Sequence, residues 1–362
     1  MSQAFLTATY LVDTDNPQEA LNAICRGQSV GNPDILTPYE TKDFLDTWAA
    51  TGKFWREGGD TYVMLVKFPQ RNAGAEGINY LLSVLLGGQC DIDVIRGCRL
   101  MSVDLGYQTH HFKPPRFGIF GLRATLQIMH RAFVGGIIKP KIGLKPMQLA
   151  DLVKQMADGG CDIIKEDEIL ADQFWCPMRE RIPLVAKALE GYPVVYLACV
   201  TGDGSEAWRK ARRAQQLGAT GVHLNVWCGL GTYQDVRRHV NVPIHFQKSG
   251  DKVWTTGPFS IEPSVLYQFV NLVGCDTAHV GMYGGYMAEE IKELHKRITA
   301  LGTTLPTFSC GLTPELAKRI IQQFGTNLAV FSGGWIHGGH SVTERCQELR
   351  RAVDEASQAV AV

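Results

Sequence analysis

From about residue 135 onward the chain repeats one unit eight times: a short apolar strand, a loop opening with Gly, Pro or a polar residue, and a segment with helical spacing. The repeat runs roughly 25–35 residues, the length of one βα unit. Strands are expected at 135–142, 161–168, 193–200, 219–226, 242–248, 276–282, 306–312 and 327–334. Between them, 146–158, 205–217 and 313–324 carry helical periodicity behind residues suited to capping a helix N-terminus. Eight such units, with no early Gly-x-Gly-x-x-Gly loop and no switch in helix facing, predict an α/β fold closed into a (β/α)8 TIM barrel rather than an open doubly wound sheet.

The first 115 or so residues do not follow the repeat. Strand-like runs at 5–12, 61–68 and 94–103 alternate with helix-like runs at 17–26, 40–50 and 75–86, which predicts a small α+β, ferredoxin-like domain on an antiparallel sheet. The run from His110 to Gly118, polar and holding Pro114 and Pro115, reads as a connector. The expected division is 1–116 for the N-terminal domain and 117–362 for the catalytic barrel.

With 362 residues, 45% of them hydrophobic, the chain can bury two cores. Lys plus Arg and Asp plus Glu each total 36, so no basic field favours nucleic acid. Neither a basic, apolar leader nor an 18-residue apolar run is present, so no membrane partner and a cytoplasmic location are expected. There are ten cysteines, and Cys98, Cys161, Cys199 and Cys310 lie in apolar runs with no CxxC pair, as expected for reduced, packed thiols.

In a (β/α)8 barrel the C-terminal strand ends surround one site, so residues distant in sequence can be considered together. Here the expected ends carry Lys139 and Lys141, then Lys165, Asp167 and Glu168, then His245 and Lys248, His279, Ser309 with Gly311, and Ser332 with Gly333 and Gly334. Asp167 and Glu168 offer hard oxygens suited to Mg2+, and no thiolate or His pair stands at zinc spacing. Glycines after the seventh and eighth strands let backbone N–H groups approach a phosphate, so a small phosphorylated substrate is expected. Taken singly, a strand-end lysine is usually a solvated tip and a lone histidine a satisfied core residue. Convergence on one barrel face is what gives the set its weight. Cys310 is expected to pack rather than touch substrate, and His337 and His340 are read as incidental.

The segments Gly136-Ile137-Ile138-Lys139-Pro140-Lys141-Ile142-Gly143-Leu144 and Gly159-Gly160-Cys161-Asp162-Ile163-Ile164-Lys165-Glu166-Asp167-Glu168, behind a small α+β domain, resemble the RuBisCO superfamily. The resemblance spans nearly the whole chain. It implies that Lys165 matches the lysine carbamylated by CO2, and that this carbamate, Asp167 and Glu168 hold Mg2+. It further implies that Lys139 handles protons, that Lys141 and His245 polarise or orient substrate, and that Lys248 and His279 bind phosphate or hydroxyl. Ser309, Gly311, Gly333 and Gly334 would hold the phosphate.

The departures from the pattern are specific. Carboxylating members carry a lysine at the residue matching Tyr286, a His-Arg pair where this chain has Gln247-Lys248, and a glutamate missing from Trp48–Phe54. The sequence is therefore similar to RuBisCO-like proteins of form IV, which keep the enolising half of the site, and carboxylation of ribulose bisphosphate is not expected. The resemblance implies isomerisation of 5-methylthioribulose 1-phosphate to a 1-methylthio-pentulose 5-phosphate in methionine salvage. The alternatives are the enolase acting on 2,3-diketo-5-methylthiopentyl 1-phosphate, and transcarboxylation or decarboxylation of a branched-sugar phosphate. It also implies a homodimer in which Lys53 and Phe54 of one subunit reach the other's site. A Schiff-base aldolase and an inactive scaffold are the competing readings from the residues alone.

Overall fold

The computed structural model describes residues 4–31, 37–73, 76–106, 111–285 and 287–360. Its described residues fall into two compact units, Met1–Phe112 with Gly250–Phe269 and Lys113–Ser249 with Val270–Val362. His110 of the expected connector and Tyr286 lie outside the described residues.

The first unit is built on strands β1 (Phe5–Asp13), β2 (Thr51–Gly58), β3 (Thr61–Pro69) and β4 (Gly97–Asp104). Strict alternation along β1 buries Leu6, Ala8, Tyr10 and Val12 on one face, as a half-buried strand requires. The helix Pro17–Gly27 is capped by Asn16, whose side chain accepts from the Glu19 amide, and it buries Ala20, Leu21 and Ile24. Helices Lys42–Trp48 and Ile78–Leu86 complete the expected set.

Two strands of this sheet were not legible in the sequence. β2 exposes nearly every side chain, so Thr51–Gly58 shows no alternation to read, and it sits at one edge of the order β10-β4-β1-β3-β2. The other edge is β10 (Phe259–Ile261), a three-residue strand that pairs parallel to β4, while the remaining pairs are antiparallel. It arrives from an excursion of the chain within the barrel sequence.

The second unit is the barrel. Its strands are β5 (Phe133–Ile137), β6 (Ile163–Lys165), β7 (Val195–Cys199), β8 (Gly221–Asn225), β9 (Ile244–Gln247), β11 (Thr277–Gly281), β12 (Leu305–Phe308) and β13 (Ala329–Ser332), closed in parallel order. The predicted eight strands are all present and shorter than the apolar runs that announced them. Phe133, Ile163, Val195, Leu197, Leu305, Ala329 and Phe331 fill the lower interior, with Leu122, Leu126 and Ile128 packed against them. Gly135 is required here, because a Cβ would stand 2.0 Å from the Phe331 ring. No helix among the described residues is long and apolar enough to cross a membrane. The ten cysteines are free thiols, Cys98, Cys161 and Cys199 buried and Cys310 half-buried.

Candidate active site

Period-two alternation along β6 and the residues after it sorts the acidic run by direction. Ile163, Lys165 and Asp167 belong to the inner side, while Glu166 faces the covering helix Met178–Ala188. There Arg181 Nε donates to Glu166 Oε1 at 2.6 Å and its terminal nitrogen to Oε2 at 3.0 Å, with both side chains fully buried. The Cys199 amide donates to Glu166 Oε2 at 2.7 Å, and the Tyr196 hydroxyl to Oε1. Arg181 also donates to the Cys176 and Ala171 carbonyls, so one buried cation ties the loop after β6 to the strand.

With Glu166 anchored outward, Lys165, Asp167 and Glu168 converge at the mouth. Lys165 is 2% exposed; its Nζ lies 3.6 Å from Glu168 Oε2 and donates to the Glu166 carbonyl at 3.1 Å. Burial pulls this amine below the usual lysine range, against the opposing pull of Glu168 and Asp167. Glu168 is pushed up by burial, but the Lys165 charge, its own backbone, the Ser249 hydroxyl and Lys141 outweigh that and hold it at about 2. Ser249 Oγ donates to Glu168 Oε1 at 3.0 Å, and Gln247 Nε2 and Asn225 Nδ2 donate in turn to the Ser249 hydroxyl and carbonyl.

Lys139 and Lys141 lie beyond the end of β5, in the loop that follows it, and both face Asp167. Lys139 Nζ donates to Oδ2 at 2.5 Å, and Lys141 Nζ stands 3.9 Å from Oδ1 with half its side chain in solvent. His337 is not incidental to this arrangement. Its Nε2 accepts from the Lys139 amide at 3.2 Å, which fixes the backbone at Lys139, and burial keeps the ring below its ordinary pKa.

His245 and His279 do not stand at strand ends as expected. His245 is the second residue of β9 and His279 the third of β11, each with two further ladder residues before its strand ends. His245 Nδ1 pairs with Thr277 Oγ1 at 2.8 Å, beneath the mouth and against Phe331. His279 Nε2 pairs with Ser309 Oγ at 2.8 Å, joining the sixth and seventh barrel strands. Desolvation drives His245 well below its ordinary value and His279 to about 3, so both rings are neutral. Lys248 Nζ donates to Glu289 Oε1 at 2.5 Å, and Glu289 also pairs with Arg297, closing the loop after β11.

Gly311 adopts φ +73° after β12, and Cys310 before it sits at φ +92°, a left-handed conformation that disfavours any side chain. Gly333 follows β13, where a Cβ would stand 3.2 Å from Lys139 Cε and 3.4 Å from Ile137 Cβ; Gly334 opens onto free space. The glycine turn is thereby adjacent to the lysine that holds Asp167.

Among the described residues no three His, Cys, Asp or Glu side chains cluster to hold a metal. Asp167 and Glu168 supply two hard oxygen donors, and the third group facing them is Lys165. As an ammonium it cannot ligate; as an amine converted by CO2 to an anionic carbamate it can. The burial that favours the neutral amine is what makes the three residues fit Mg2+.

The sequence profile described as ribulose bisphosphate carboxylase large chain, catalytic domain, matches residues 118–298. An uncharacterized ribulose bisphosphate carboxylase-like protein of Bordetella bronchiseptica is 32% identical over 81% of this chain and 74% of its own length. A 2,3-diketo-5-methylthiopentyl-1-phosphate enolase of Geobacillus thermodenitrificans is 31% identical over 71% of this chain and 67% of its own. A dimeric archaeal Rubisco from Hyperthermus butylicus superposes with a TM-score of 0.91 at 20% identity, covering 99% of this chain and 92% of that one, a likeness of fold.

Proposed function

Since the chain belongs to the ribulose bisphosphate carboxylase large-chain family, we propose that it is a non-carboxylating, Mg2+-dependent enzyme that enolises a small phosphorylated ketose. The observation that carries this reading is the Lys139 Nζ to Asp167 Oδ2 contact of 2.5 Å beside buried Lys165, which puts a proton-transfer group next to two hard anionic donors. Lys165, once its amine has attacked CO2, would join Asp167 and Glu168 in holding Mg2+. The metal, when bound, supplies Lewis-acid polarisation of a substrate carbonyl.

The chain's own groups do the rest. Lys139 removes a carbon-bound proton and returns it elsewhere on the skeleton, the part a positioned base plays in enolisation. Lys141, half in solvent, orients substrate oxygens at the mouth. Neutral His245 supports the floor through Thr277, and neutral His279 presents Ser309 toward the phosphate end. Gly311, Gly333 and Gly334 offer backbone N–H groups to the phosphate without a Cβ in the way. Lys248 adds positive charge at the same rim, with Glu289 as its partner in the absence of substrate.

Within that class the specific reading is isomerisation of 5-methylthioribulose 1-phosphate to a 1-methylthio-pentulose 5-phosphate. A second reading, enolisation of 2,3-diketo-5-methylthiopentyl 1-phosphate, is favoured by the Geobacillus relative. Residue 286 is tyrosine where carboxylating members place the lysine that orients CO2, which supports enolisation without carbon fixation. A homodimer is supported by the dimeric Hyperthermus structure and by Ile142, Ile169, Phe174 and Trp227, large apolar side chains exposed around the barrel mouth. Lys53 and Phe54 of the partner's edge strand would cover that rim.

Proton NMR in D2O with Mg2+, bicarbonate and each ketose phosphate tests the reading. Deuterium is expected to enter the carbon next to the carbonyl, with conversion of one candidate. Absence of exchange and conversion with every candidate would sink it.

A further inference from the structure

His223 is the central residue of β8 and lies on the inner face of the barrel, as a Cβ on Gly221 two residues earlier would meet Leu197 and Val195 of the packed interior. It is fully buried, and neither ring nitrogen has a hydrogen-bond partner among the described residues. An unpaired buried polar group is costly to keep and uncommon in folded chains, so the ring calls for a partner. The Glu166 carbonyl lies close enough to favour the protonated ring slightly, yet it makes no hydrogen bond with it and accepts from Lys165 Nζ at 3.1 Å instead.

Lys165 lies opposite Leu197 of β7, and Leu197 lies opposite Gly221 of β8, so His223, two residues further along the inner face of β8, stands on the mouth side of Lys165 across one strand. The His223 and His245 rings stand 6.3 Å apart, and the Lys165 charge acts on both. Desolvation, reinforced by Lys165, keeps His223 neutral, with one N–H to give. Leu197, opposite Lys165 in the ladder, has no donor in its side chain, and Cys199 Sγ already faces the Glu168 carbonyl at 3.4 Å. His245 Nδ1 is paired with Thr277, whereas both ring nitrogens of His223 are unpartnered among the described residues, so His223 holds an uncommitted ring N–H on this face of the barrel.

We infer that His223 is a positioning residue for modified Lys165, its ring N–H donating to an oxygen of the carbamate and holding that group toward Asp167 and Glu168. The inference rests on the reading of Lys165 as a carbamylated lysine. In that step the Lys165 nitrogen lone pair forms a C–N bond to CO2, one C–O π pair moves onto oxygen, and the N–H proton leaves to solvent. His223 neither gains nor loses a proton.

The test is uptake of carbon-13-labelled CO2, read as the carbamate resonance by NMR without Mg2+ and without substrate, and assigned by its loss in Lys165→Ala. The wild-type chain is expected to carry one carbamate. His223→Phe is expected to need roughly tenfold more CO2 for half occupancy, the effect of one hydrogen bond to a charged group. His223→Asn, which restores a donor, is expected to recover most of that affinity. If the larger ring prevents folding, His223→Leu against His223→Asn gives the same comparison. Equal uptake with and without a donor at 223 would overturn the positioning role while leaving the carbamate intact. No carbamate on wild-type Lys165 would overturn both.

Discussion

Arg181 and Glu166 form a fully buried, two-pronged ion pair, with contacts of 2.6 and 3.0 Å, directly behind the three residues that face the barrel mouth. The pair raises the arginine well above its ordinary range despite the opposing effect of burial. Four donors from three residues converge on the Glu166 carboxylate, and their removal would leave a buried, uncompensated charge. Losing one partner of such a pair costs about 3–5 kcal/mol. Arg181→Met is therefore expected to lower the free energy of unfolding by that amount, measured by urea titration. Pairing it with Glu166→Gln should cost clearly less than the two single losses added together. Additive losses would show that the pair does not act as a unit.

Ser249 orients Glu168 through a 3.0 Å hydrogen bond and is itself held by Gln247 and Asn225. Groups that orient a ligating carboxylate typically change metal affinity 10- to 100-fold when lost. Ser249→Ala is expected to weaken Mg2+ binding by about tenfold in calorimetric titration of the bicarbonate-treated protein, with unfolding free energy changed by less than about 1.5 kcal/mol. Unchanged Mg2+ affinity would remove Ser249 from the site.

The eightfold pattern was legible because each barrel strand is buried on both faces and reads as an apolar run, and the mouth lysines and carboxylates interrupt those runs. What stayed hidden has physical reasons. β2 is exposed on both sides, so it leaves no period, and β10 is three residues long and reaches its sheet only through tertiary pairing. Ser249 looks like any polar loop residue until the Glu168 carboxylate is placed beside it. Glu166 was readable in part, since alternation turns it away from Lys165 and an acid there needs a buried base on the next helix. The depth of His245 and His279 could not be judged from the sequence, because an apolar run does not mark where along it the hydrogen-bonded ladder stops. His223, a single histidine within Gly221–Asn225, carried a faint signal of its own.

Three neutral histidines in the barrel interior make stability sensitive to acid. The folded pKa of His279 is about 3, depressed first by desolvation and then by Lys248 and Lys165, while His223 and His245 are well below 6.5. The unfolded chain protonates these rings near 6.5, so it binds more protons than the folded chain at mildly acid pH. Their contribution is present in full above pH 6.5 and is lost as pH falls toward the folded values. Each ring adds a slope of about 1.4 kcal/mol per pH unit in that window. Urea unfolding between pH 7 and pH 5 is expected to show falling stability, and His279→Gln should flatten the slope by about one ring's share. A slope unchanged in His279→Gln would contradict a neutral His279.

Lys139 joins three parts of the site. Its Nζ meets Asp167 at 2.5 Å, its amide is fixed by His337 at 3.2 Å, and its Cε lies where a Cβ on Gly333 would press at 3.2 Å. In the proposed enolisation a base at this place would contribute roughly 10²–10⁴-fold when proton transfer limits the rate. Lys139→Met is expected to lower deuterium incorporation into the ketose phosphate by at least a hundredfold while carbamate formation on Lys165 persists. His337→Phe, which removes only the acceptor behind the Lys139 amide, should reduce kcat by about tenfold with the substrate still bound. Gly333→Ala should act on the same side chain from the phosphate turn, raising KM more than it lowers kcat. These three variants separate proton transfer, placement of the lysine and phosphate binding. If Lys139→Met exchanged deuterium at the wild-type rate, the base would have to be sought elsewhere on the rim, with half-exposed Lys141 the next group to replace.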